Sequence, residues 1–221
     1  MTGSGASGGP APRRLEAALA VVLGVAVALA YLPVVSHSFT NYDDDSYVWA
    51  NANVASGLTL RNLAWAASAV VVSNWHPLTM VSHQADATIF GLRPGGHHAT
   101  SAAIHVANAV LLFLLLSRAT AAPRRAFLVA ALFGLHPLNV EAVAWVAQRK
   151  TVLSFLFCLL ALIPYASWAR AKRGRSYAAV MALFAAALLS KPSAVVFPAA
   201  LLALDFWPLG RAGEGGERWR G

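Results

Sequence analysis

The sequence predicts an all-α fold, a polytopic membrane helical bundle of about six spans with a long polar loop after the first. Three observations carry this. Hydrophobic residues make up 58% of the chain and charged residues 12%, outside the ordinary globular range. Apolar runs recur at lengths close to the roughly 20 residues that a spanning helix needs. The basic residues gather in alternate connections, as they do in membrane proteins of fixed orientation.

The elements follow in order. Residues 1–14 form a disordered tail rich in Gly, Ser, Ala and Pro that ends in Arg13 and Arg14. The first span is 15–35. A cleaved leader is the alternative, because Ala28-Leu29-Ala30 resembles a cleavage site, but the apolar run continues through Leu32 and Val35. The loop 36–98 is too long to lack structure, so two or three short helices are expected in it. One of them is 58–72, broken by Arg61 and Asn62 and carrying Trp65, which reads as a helix lying in the interface. The remaining spans are 99–116, 126–146, 151–168, 176–190 and 192–209. Only Lys191 separates the last two, which makes them a hairpin. The membrane domain is thus 15–209, and 210–221 is a second tail. No period of 20 to 50 residues repeats, so no solenoid lies within these residues.

A cytoplasmic N-terminus places twelve of the seventeen Lys and Arg residues inside, from Arg13 to Arg220. Both ends then lie in the cytoplasm. The loop 36–98 lies outside, together with Arg149, Lys150 and Lys191. The basic balance, +8, is explained by this segregation. No basic groove interleaved with aromatics is present, so nucleic acid is excluded as a partner. Cys158 is the single cysteine and reads as a small buried hydrophobe, with no disulfide framework or CxxC chemistry.

The polar residues collect on that outer side. Asp43, Asp44 and Asp45 are three of nine carboxylates, and adjacent like charges persist only if they are used or solvated. A solvated turn is the plain alternative. His76, His83, Asp86, His97, His98, Glu141, Arg149, Lys150 and Lys191 fall on the same side. Ser101, His105 and Asn108 share one face of the second span. Pro137 is expected to loosen the third span near Glu141, while Glu141 and Gln148 share a face two turns apart. Ionisable groups at membrane depth usually face a cavity or a partner, so one outward polar cavity is expected. His97 and His98, being adjacent, should point apart on a helix. No metal-ligand spacing stands out. No cofactor is called for, and a divalent cation on the aspartates stays open as an option.

The ordered segments NYDDDSYVWAN, GLTLRNLAWA, NWHPLTMVSHQAD, FGLRPGGHHATSAAIHVANAVLLFLL, AALFGLHPLNVEAVAWVAQRK, SKP and LLALDFWPLGR resemble one family. They are similar to bacterial relatives of the transmembrane and tetratricopeptide-repeat O-mannosyltransferases, within the glycosyltransferase C superfamily. The resemblance covers about 36–211. It implies a multi-pass protein of the bacterial inner membrane and a polyprenyl-phosphate sugar donor. The hexose, mannose by family, would pass with inversion to Ser or Thr of an exported protein.

The same resemblance assigns roles. Asp43 is the first choice for the catalytic base and Asp44 the second, with Asp45 and Tyr47 beside them. Arg149, Lys150 and Lys191 would offset charge on the leaving lipid phosphate. Glu141, His76, His97, His98 and His105 would shape the substrate pocket. Two departures stand out. Relatives read ERKD where this chain has Gln148-Arg149-Lys150-Thr151, so carboxylates that would surround Arg149 are lost. Relatives also continue into further spans and tetratricopeptide repeats, so the 221 residues are expected to be an N-terminal portion. A non-catalytic lipid-phosphate-binding or scaffold subunit is the alternative, and a transporter is a third reading. The inner halves of the spans argue against transport, since Asp205 is their one ionisable exception.

Overall fold

The computed structural model describes residues 13–206; the expected tails at 1–12 and 210–221, and the end of the last expected span, lie outside them, while Arg13 and Arg14, expected to close the N-terminal tail, instead open the first helix. The chain is a multi-pass helical membrane protein, with helices throughout the described residues. Helix α1 (Arg13–Tyr31) tightens into a short turn, Leu32–Ser36. The polar loop then folds into a wide turn, Asp45–Trp49, and three helices: α2 (Ala52–Ala55), α3 (Leu60–Ser68) and α4 (Pro77–Phe90). Next come α5 (Pro94–Thr120), α6 (Pro123–Leu135), α7 (Val140–Ala144), α8 (Arg149–Ala171), α9 (Gly174–Ser190) and α10 (Phe197–Phe206). Pro opens α4, α5 and α6, where its missing N–H costs nothing and its fixed φ suits the first turn.

Three helices are long and apolar enough to cross a membrane: α1 with its turn, α5, and α8 with the preceding 146–148 turn. Helices α6 and α7, bent by 49°, are apolar enough to make a fourth when the pair counts as one broken span. The break falls at Pro137, as expected: α6 ends at Leu135, and His136 is extended. The last two expected spans are the shorter apolar helices Gly174–Ser190 and Pro192–Phe206. The second begins as a tight turn, Pro192–Val196.

Helix α5 is the central post. It packs on α1, α6 and α8, and α8 packs along α9. Leu23, Val27, Ala109, Phe113, Ala126 and Ala130 form an apolar seam between α1, α5 and α6. The helices approach closely at Gly134, where an added Cβ would lie 2.7 Å from Val27 Cγ2 and 3.1 Å from the Ala109 Cβ. Such small residues at crossings are how helices pack in lipid. Side chains also stitch the bundle: Asn108 donates to the Val152 carbonyl at 2.8 Å, Ser154 to Ala187 at 3.0 Å, and Thr79 to Ser190 at 2.9 Å.

The 37–93 loop caps one end of this bundle. Its own core is Tyr47, Val48, Val54, Ala66 and Met80, closed by Val146 and Ala147 from the connection into α8. Asn62 fastens α3 to the preceding turn by donating to the Gly57 carbonyl at 2.6 Å. Gln84 of α4 donates to the Asn62 carbonyl at 3.0 Å. The loop is therefore a packed lid over the connection into α8.

Candidate active site at the capped end

The three adjacent acids have different fates. Asp44 is fully buried. Its carboxylate accepts from the Thr40 N–H at 2.9 Å, the Thr40 hydroxyl at 3.0 Å and the Ala147 N–H at 2.8 Å. It ties the loop to the connection into α8. Asp43 has φ +63°, in the left-handed region that few non-glycine residues occupy. Asp tolerates that region better than most residues, and such outliers cluster at functional sites. Among the described residues, the Asp43 and Asp45 side chains take no hydrogen bond, and both are partly exposed. Of the two residues assigned to catalysis, Asp44 holds the structure and Asp43 is left open.

Beside Asp43 lies a pair formed by Tyr47 and Lys150. The Lys150 Nζ donates to the Tyr47 hydroxyl at 2.8 Å and stands 4.7 Å from its ring centroid. Tyr47 is fully buried, stacked on His76 at 5.2 Å between centroids. Burial, and secondarily the Asp43 charge, raise the Tyr47 phenol above its usual value of 10.0, so it stays neutral. Lys191 donates to the Thr151 hydroxyl at 2.8 Å. It lies near enough to Lys150 for the two ammonium groups to repel, with Asp43 attracting Lys150 and Glu141 attracting Lys191. Asp43, Tyr47, Lys150, Lys191 and Glu141 thus form one electrostatic neighbourhood. Asp45 stands at the start of the same turn.

Arg149 points elsewhere. Its guanidinium is 0% exposed and makes an ion pair with Asp86. It also donates to the Ser101 hydroxyl at 3.2 Å and to the carbonyls of His97 and Ser82, at 2.6 and 3.3 Å. Sequence reasoning placed Arg149 on the leaving phosphate; the structure instead gives its charge to Asp86. This also answers the missing ERKD carboxylates, because α4 supplies the counterion. Asp86 Oδ1 accepts from the Thr100 hydroxyl at 2.8 Å, and Oδ2 lies 3.6 Å from His97 Nδ1. The need for a counterion to a buried Arg was the available signal; which of nine acids answers it depends on the tertiary fold.

The histidines separate in the same way. His97 and His98 point apart on α5 as expected: His97 toward α4 and the Gly91 carbonyl, His98 toward the Ser38 carbonyl. His105 sits in the apolar seam, edge-on to Tyr31, with Nε2 3.0 Å from the Gly134 carbonyl. It joins helices and lies apart from the acid-and-lysine cluster. His76 and His83, with Tyr47 between them, are both buried, and neither ring has a hydrogen-bond partner among the described residues. Burial, then Lys150, pushes His76 down from 6.5 to about 4. Burial and then Arg149 hold His83 neutral well below the usual range. Glu141 and Gln148 do meet, with Gln148 Nε2 donating to Glu141 Oε1 at 3.4 Å. They do so across the break at Trp145 and not along one helix as expected, because α7 ends at Ala144. Among the described residues, no group of three His, Cys, Asp or Glu could hold a metal ion.

A partial positive site, one open carboxylate and a neutral phenol make an arrangement able to take a proton while offsetting an anion. Comparison with known proteins gives related sequences. The chain is 31% identical over 176 residues to "Protein O-mannosyl-transferase Tmtc1" of Drosophila melanogaster, covering 75% of this chain and 20% of that protein. It is 29% identical over 179 residues to human "Protein O-mannosyl-transferase TMTC1", 74% of this chain and 20% of that one. It is 31% identical over 182 residues to "Protein O-mannosyl-transferase Tmtc2" of the fly, 75% and 19% respectively. The chain therefore spans about a fifth of the length of the curated relatives it matches. No protein-family profile matches, and no solved structure does either.

Proposed function

Taking as premise that this chain is a relative of the TMTC protein O-mannosyl-transferases, we propose that it carries the catalytic end of such a transferase. It moves a hexose, mannose by family, from a polyprenyl-phosphate donor to a Ser or Thr hydroxyl of an exported protein. The capped end then faces the outside of the cytoplasmic membrane, with the N-terminus inside. The observation that carries this reading is the division of labour between neighbours. Asp44 spends its carboxylate on the fold, while Asp43 keeps its carboxylate free beside Lys150 and Tyr47.

The step balances as a single displacement. The acceptor oxygen bonds to the anomeric carbon and its proton passes to the Asp43 carboxylate. The bond from that carbon to the donor's phosphate oxygen breaks, the electron pair stays on the phosphate, and the configuration inverts. Lys150 and Lys191 offset the charge that develops on the phosphate. Tyr47, neutral and hydrogen-bonded by Lys150, holds that ammonium in position. Asp45 and Glu141 adjust the field, and the buried histidines make the wall behind Tyr47.

The test is transfer of mannose from a polyprenyl-phosphate mannose donor to a Ser/Thr peptide by the membrane-embedded protein. Asp43→Asn should lower the rate by about 10²- to 10⁴-fold, the ordinary worth of a general base. Undiminished transfer by that variant would remove Asp43 from the chemistry. No transfer by either the wild type or a longer form of the chain would leave the lipid-phosphate-binding subunit as the reading.

A further inference from the structure

The two ends of the bundle differ in charge. At the capped end the cations of the site have acids for neighbours: Asp86 pairs with Arg149, and Asp43 and Glu141 attract Lys150 and Lys191. The opposite end gathers cations almost alone. Arg13 and Arg14 open α1, Arg118 lies in the last turn of α5, and Arg124 and Arg125 stand in the first turn of α6. Arg170, Lys172, Arg173 and Arg175 crowd the connection from α8 to α9. All nine are exposed. The acids at that end, among the described residues, are Glu16, 3.9 Å from Arg118, and Asp205, which accepts from Tyr165 at 2.8 Å.

The α8–α9 connection is the densest of these clusters. Lys172 caps α8 in a left-handed turn, φ +50°, and its N–H bonds the Trp168 carbonyl at 2.7 Å. Four cations therefore fall within the six residues 170–175, and no acid lies between Trp168 and Tyr177. The space outside the turn is open, since a Cβ added at Gly174 would meet nothing within 4 Å. Aromatic rings stand one turn deeper. Trp168 lies 5.7 Å from Tyr177 between centroids, and the Lys172 Nζ sits 4.4 Å over the Trp168 ring. Trp and Tyr at a helix end mark the level between headgroups and hydrocarbon. Farther along the two helices, Ile163 on α8 and Met181 on α9 are each about half exposed.

We propose that the α8–α9 connection is a binding site for an anionic phospholipid of the phosphatidylglycerol class. The phosphate lies among Arg170, Arg173 and Arg175, the glycerol region meets Trp168 and Tyr177, and the acyl chains run past Ile163 and Met181. Charge complementarity sets the sign of the headgroup. Cations crowded into one turn repel each other, and an anion between them offsets that repulsion. The order cation, ring, hydrocarbon makes the occupant a lipid and not a soluble anion, because only a lipid satisfies all three levels. The proposal involves neither sugar donor nor acceptor, so it stands or falls apart from the transferase reading.

The test is native mass spectrometry of the full chain in neutral detergent, titrated with phosphatidylglycerol or with phosphatidylcholine. The first phosphatidylglycerol should bind about tenfold or more tightly than the first phosphatidylcholine, the scale expected of several cations facing one anionic headgroup. Arg173→Gln should weaken that first lipid by about fivefold. The fourfold variant R170Q/K172Q/R173Q/R175Q should abolish the preference. A control with four charges removed elsewhere at the same end, R13Q/R14Q/R124Q/R125Q, should change it by no more than about twofold, as distant charges are screened. Melting temperatures report folding, and the single Arg173→Gln variant carries the test if the fourfold variant unfolds. Inorganic phosphate in large excess should not displace the lipid. Equal binding of the two lipids, or undiminished phosphatidylglycerol binding in Arg173→Gln, would overturn the proposal. So would equal losses in the two fourfold variants, which would show a diffuse field and no site. Displacement by inorganic phosphate would make the cluster a soluble-anion site and overturn it as well.

Discussion

The apolar seam of α1, α5 and α6 and the polar lid over the capped end are both tightly buried, yet they are held by different forces. The seam is packed by Leu23, Val27, Ala109, Phe113 and Ala130, with Gly134 allowing close approach. Association of this kind relies on many small dispersion contacts and tolerates volume-conserving change. The lid buries a charged pair, Arg149 with Asp86, and the imidazoles of His76, His83 and His97. A buried pair stabilises little relative to an apolar replacement, but removing one partner leaves the other charge stranded. Precise placement of Lys150 and Asp43 therefore depends on the more brittle of the two regions.

That contrast is sharpest at the ion pair. Arg149→Met and Asp86→Leu should each destabilise the protein by about 3–5 kcal/mol, while the double variant should recover most of the loss. Thermal unfolding in detergent checks this, and simple addition of the two losses would break the comparison. In the seam, Gly134→Ala forces a Cβ against Val27 and Ala109 and should cost about 1–3 kcal/mol by overpacking. A smaller residue at position 27, as in Val27→Ala, should relieve part of that cost.

The regions should also differ in their response to acid. An unfolded chain protonates His76 at 6.5, whereas the folded lid resists protonation until about 4. Between those values the unfolded state binds more protons, so folding stability is full above 6.5 and falls as the pH drops toward 4. His83 acts in the same direction. Protease accessibility of the 37–93 loop should therefore rise over that window, and His76→Phe should reduce the rise. A flat profile in the wild type would show that the lid does not depend on neutral imidazoles. The smallest expected effect is His105→Gln. It keeps a donor toward the Gly134 carbonyl and should leave mannose transfer within about threefold, because even full loss of a single interhelical hydrogen bond in lipid costs about 0.6 kcal/mol.

The seam was the more legible region. Apolar length alone located α1, α5 and α8, and Pro137 marked the bend between α6 and α7. The lid was legible as a collection of residues and not as a set of pairs. Asp43, Asp44 and Asp45 carry the same side chain in the sequence, and only the fold brings the Ala147 N–H to Asp44 and leaves Asp43 open. Arg149 and Lys150 are likewise adjacent, but α8 begins at Arg149. Successive positions on a helix face different ways, so one side chain enters the lid and the other meets Tyr47. In the sequence Asp86 reads as one more polar residue of the loop, since nothing in its local sequence names a partner in α8.

The most direct measurement compares Asp43→Asn with Asp44→Asn, scoring mannose transfer and melting temperature on the same preparations. The account predicts that Asp43→Asn keeps the wild-type melting temperature and loses transfer. Asp44→Asn should lower the melting temperature, with transfer falling only as far as the lid loosens. Retained transfer in Asp43→Asn, or full stability with lost transfer in Asp44→Asn, would contradict it.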